Sequence, residues 1–94
     1  MRIDDKRERT GEVHVGQTFI GRHKPTAQQK GDHANNFARA LEKALQIADS
    51  PKVVSERKRM RLPTTFQTTV SFEATIVVKS PGDVGEYRAV VTEV

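Results

Sequence analysis

The sequence predicts an α+β fold in the order β-α-β-β, with one helix packed on a three-stranded antiparallel sheet in an oligomerising chain. Three observations lead there. In "DHANNFARALEKALQIADSP", Phe37, Leu41, Ala44, Leu45 and Ala48 recur at helical spacing and form one apolar stripe. Downstream, Val70, Phe72, Ala74, Ile76 and Val78 alternate with Ser71, Glu73, Thr75, Val77 and Lys79, the two-residue period of a half-buried strand. The turn formers "SPGDVG" (80–85) then lead into "EYRAVVTEV" (86–94), so the last two strands pair as an antiparallel hairpin.

Taken in chain order, residues 1–11 are charged and poor in apolar side chains, and read as a flexible tail ahead of a single small domain, 12–94. "EVHVGQTFIG" (12–21) alternates as a first strand that Gly16 weakens. "RHKPTAQQKGDH" (22–33) contains Pro25 and Gly31 and is expected to be a loop, with one helical turn after Pro25. The helix follows, about 15 residues long, with Asp32 or Asn35 accepting its first free amides and Pro51 stopping it. Phe37, Leu41 and Leu45 are its expected core stripe, and Arg39, Glu42 and Lys43 its solvent face. Within the connection that follows, "ERKRMRLP" (56–63) reads as a basic solvated loop or extended edge strand.

Composition bounds the function. Ninety-four residues make one domain, and hydrophobic residues are only 35% and aromatics 5% of it. A thin apolar supply, one helix for a two-faced sheet and two open edges point to a core shared between copies of the chain. No cysteine is present, which excludes disulfides and thiolate metal sites. No apolar run approaches the roughly 18 residues of a membrane span, and the N-terminus lacks an apolar signal region. A cytoplasmic protein with no membrane partner is the expectation.

From the helix onward the chain resembles the dodecins, small strand–helix–strand–strand proteins that assemble into hollow dodecamers and commonly bind flavins. "NFARALEKALQIA" has the spacing of the dodecin helix, "SFEATIVVK" resembles the start of its long second strand with an aromatic-Glu pair, and "GDVGEYRAVVTEV" resembles the third. The resemblance implies the fold, self-assembly and a small ligand at subunit interfaces, near Ser71, Glu73, Tyr87 and Arg88. Two positions depart from the family pattern: Ser71 stands where a Trp stacks on the flavin ring, and Arg88 where a Gln binds its edge. A hydroxymethyl offers no stacking surface, and a guanidinium has no acceptor for the flavin's donors. The resemblance therefore leaves the cofactor unknown.

The charge is uneven. Net charge is +4, yet residues 22–61 alone carry ten cations against four anions. Lys52, Arg57, Lys58, Arg59 and Arg61 form the alternative site, a polyanion or nucleic-acid grip that releases counterions on binding. Base-stacking aromatics and a known nucleic-acid motif are missing around it. His14, His23 and His33 match no metal-ligand spacing. No Gly-x-Ser-x-Gly elbow or phosphate-cradling glycine run occurs. The carboxylate pairs Asp4–Asp5 and Glu8–Glu12 fall in the expected tail, where a raised pKa is hard to achieve, so a non-enzymatic module is expected.

Overall fold

The computed structural model describes residues 16–77 and 83–94. The expected tail 1–11, the first residues of the expected opening strand with His14, and residues 78–82 lie outside them. The described residues form an α+β unit of a three-stranded antiparallel sheet and two α-helices, one more helix than expected. The strands are β1 (Thr18–His23), β2 (Thr68–Ile76) and β3 (Val84–Glu93), and the helices are α1 (His33–Ala48) and α2 (Pro51–Arg59). A 3-10 turn at Ala27–Gln29 lies where one helical turn was expected after Pro25.

The sheet order is β1-β3-β2. Phe19 faces Val91 and Gly21 faces Ala89 across β1 and β3, while Phe72 faces Ala89 and Glu73 faces Arg88 across β2 and β3. Because side chains alternate along a strand, Phe19, Gly21, Tyr87, Ala89, Val91, Val70 and Phe72 share the face toward α1. The register shifts between Thr75 and Ile76, a bulge that skips Gly85 of β3.

The helix sits on this sheet differently from the expectation. Its buried residues are Asn36, Ala40 and Ala44, whereas Phe37 and Leu41 are half-buried flanks and Leu45 is exposed. The cause is Gly21. A Cβ there would overlap the Ala40 carbonyl oxygen and the Ala44 amide nitrogen, so strand and helix meet backbone to backbone. Only small side chains fit along such a seam, and the large ones are pushed to its sides. Phe37 fills one flank, edge-on to Tyr87 at 4.8 Å and to Phe72 at 5.3 Å.

The expected cap is also revised. No side chain accepts the first free amides of α1; Asp32 Oδ2 accepts instead from the Asn35 side chain at 2.8 Å. Buried Asn36 donates to the Gln29 carbonyl at 2.7 Å, tying the helix start to the preceding turn.

The first part of the basic segment is a helix and not a loop or strand, and residues 60–67 form the non-helical link that follows it. Pro51 ends α1 by being the first residue of α2, where its missing N–H costs nothing. Ser50 Oγ accepts from the Val53 amide at 3.4 Å. Ser50→Ala should lower stability by about 1 kcal/mol in a urea melt; an unchanged midpoint would show that tertiary contacts alone hold α2.

β2 departs most from expectation. All nine of its residues are exposed, including Val70 (40%), Phe72 (48%) and Ile76 (52%) in the row expected to be half-buried. The sheet order explains this. β2 is the edge strand, and α1 lies over β1 and β3.

Candidate functional site

The four residues expected around a ligand do not converge. Ser71, Glu73 and Arg88 lie on the sheet face turned away from α1, where Arg88 Nη1 and Glu73 Oε1 pair at 3.3 Å. Arg22 stands beside Arg88 across the strands and is balanced by Glu86 at 3.6 Å. The result is an alternating, half-exposed charge row whose pairs are of the weakly stabilising surface kind. Arg88 keeps one buried donor, Nε, without an acceptor. Tyr87 points the other way. It is buried under α1, and its hydroxyl shares a 2.6 Å hydrogen bond with His33 Nδ1. A ligand on the open face cannot reach it, so Tyr87 leaves the expected site.

The basic segment is likewise divided. Lys52, Lys58, Arg59 and Arg61 are exposed, and Arg59 shares its charge with Glu56 at 3.5 Å. Arg57 is 1% exposed and turned inward. Its Nη1 donates to Glu93 Oε1 and Gln17 Oε1, its Nη2 to Glu93 Oε2, and its Nε to the Pro63 carbonyl, each at 2.8 Å. The Phe66 ring lies 4.0 Å from its guanidinium carbon. Hydrogen bonding to Glu93 raises the Arg57 pKa above its already high ordinary value; desolvation opposes this and the Glu93 charge adds to it. Arg57 is therefore a structural pin joining α2 to the sheet, and it drops out of the expected polyanion grip.

Above this pin lies a cleft of about 390 Å³. Leu45, Ala48, Val54, Phe66 and Val91 supply apolar walls, Thr64, Thr65 and Thr68 are polar lining residues, and Asp49 stands at the wall as a carboxylate. The size falls within the usual range for small-molecule sites of about 300–1,000 Å³. Arg57 contributes to the lining, but its charge is neutralised by Glu93, so the cleft lacks the free cation that an anionic ligand would need.

Sequence reasoning missed this place because it forms only when α2 folds back. One signal was readable: Glu93 continues the inward row of Tyr87, Ala89 and Val91. A carboxylate in an apolar row requires a buried cationic partner.

The remaining histidines are tied into the frame, His23 Nε2 to Gln29 Oε1 at 2.9 Å and His33 to Tyr87. Among the described residues no group of three or more His, Cys, Asp or Glu could hold a metal ion, and no helix is long and apolar enough to cross a membrane. No family model, curated protein or solved structure matches the chain.

Proposed function

We propose that this chain is a non-enzymatic module that works as a homo-oligomer and holds a small, uncharged, mainly apolar ligand in the cleft beside Arg57. The observation that carries the first part is the exposure of β2. Val70, Phe72 and Ile76 occupy one row of an edge strand and stay exposed among the described residues, with only the rim of Phe72 touched by Phe37 of α1. Apolar side chains concentrated on an open edge favour association with another chain. The described core supports the same reading: Ala40, Ala44 and Ala89 are half of its six buried hydrophobic residues, too small a set to stabilise the fold strongly. The element order, strand–helix–strand–strand apart from the added α2, and the resemblance to dodecins agree with an assembly, while Ser71 and Arg88 argue against flavin as its ligand.

The polyanion alternative is the weaker one. It retains Lys52, Lys58, Arg59 and Arg61 and loses Arg57, and no aromatic side chain stands among them for bases to stack on.

Size-exclusion chromatography with light scattering tests the assembly. The expected mass is a whole-number multiple of the chain mass, and Phe72→Asp, a charge placed in the exposed row, should reduce it. A strict monomer across micromolar concentrations would overturn the reading. The ligand is tested separately, by native mass spectrometry of the protein as purified from cells.

A further inference from the structure

The exposed strand also has a readable hydrogen-bond phase, and that phase says how copies join. The Val94 amide donates to the Gln67 carbonyl at 3.0 Å, one pair beyond the end of β2. Pairs in an antiparallel ladder alternate between bonded and non-bonded. Residues 69, 71, 73 and 75 of β2 therefore direct their peptide groups to β3. The Val77 amide, which donates to the Asp83 carbonyl at 2.9 Å past the bulge, keeps the same phase. Thr68, Val70, Phe72, Ala74 and Ile76 direct theirs outward, to the free edge. Among the described residues, those of β2 whose peptide groups face away from β3 are thus the ones whose side chains form the exposed apolar row.

Resting on the self-association proposed above, we infer that two copies pair through their β2 edges, antiparallel and centred on Phe72, to make one six-stranded sheet. Antiparallel pairing about a residue keeps odd and even rows in phase, so every apolar side chain stays on the helix side. In this register Phe72 faces the second copy's Phe72, Val70 faces its Ala74 and Thr68 faces its Ile76. All nine residues of β2 find a partner. Charge selects the centre. Pairing about Glu73 would set two carboxylates directly opposite each other, which is destabilising, whereas pairing about Phe72 sets Glu73 opposite Ser71. The other edge strand, β1, is only six residues long, and its outward-directed residues, Thr18, Ile20 and Arg22, form no apolar row.

The experiment has two variants beside the wild type. Ala74→Pro removes an outward amide and no bond of the β2–β3 ladder, a position where an edge strand tolerates proline. It should halve the mass seen by light scattering while leaving the far-ultraviolet circular dichroism unchanged. The chain has no cysteine, so Ser71→Cys and Glu73→Cys each introduce a single thiol. Across a non-bonded pair their Cα atoms would be about 4.5 Å apart, within disulfide reach. An oxidised mixture of the two should give a covalent dimer, and neither variant alone should. A wild-type oligomer with no cross-link in the mixture would overturn the edge pairing and leave self-association standing. A wild-type monomer would overturn both. Should Ala74→Pro fail to fold, the cross-link decides alone.

Discussion

Glu93→Gln should lose about 3–5 kcal/mol of folding stability, the range expected when one partner of a buried ion pair is removed. The side chain keeps its shape, but Arg57 is left a buried cation with no counter-charge. For a chain of this size each kcal/mol moves the melting temperature by roughly 4–8 °C, so the variant should melt more than ten degrees below wild type. Arg57→Leu/Glu93→Leu removes both charges and should cost less than Glu93→Gln alone. Urea melts of the three proteins check this. A single-variant loss below about 1 kcal/mol would place the pair in the exposed class and sink the description of Arg57 as a pin. On the Arg57 side the contribution is insensitive to physiological pH. Its folded pKa is raised, so the stabilisation is complete below the ordinary arginine value and fades only as pH climbs through the folded one.

Gly21→Ala should be at least as damaging, at about 3 kcal/mol or more. One methyl group is ordinarily a small change, but here it meets the Ala40 carbonyl oxygen and the Ala44 amide nitrogen, which are helix backbone. Neither atom can move without lifting α1 off β1 and opening the seam through Ala40, Ala44 and Ala89. Thermal unfolding followed by circular dichroism reads the effect. A melting temperature within a degree or two of wild type would mean that helix and strand sit farther apart than described.

These two residues mark the limit of what the sequence disclosed. The period of residues 37–48 placed α1 within a residue or two of its bounds, and the alternation of 70–79 located β2, which spans Thr68–Ile76. Periodicity reports which side chains share a face. It does not report how close the facing element comes, and so Ala44 of the expected stripe is buried, Phe37 and Leu41 only flank the core, Leu45 is exposed, and Ala40, outside the stripe, is buried. The α2 segment failed for another reason. Its cations mask the apolar pattern, and Pro51, one of its two start signals with Ser50, had already been used as a stop for α1. Arg57 was counted with its neighbours because a run of cations gives no sign of which one turns inward. The candidate cleft was not legible at all, since its walls come from α1, α2, Phe66 and β3.

The amino-acid order by itself determined the first strand, α1 and the final hairpin in succession, though not α2, because local periodicity and turn chemistry act over a few residues and need no partner. Only the tertiary structure decided which strand lies at the edge, which charge is buried and where the cleft opens. Those depend on contacts between residues as far apart as Gln17, Arg57 and Glu93, whose meeting no local pattern records.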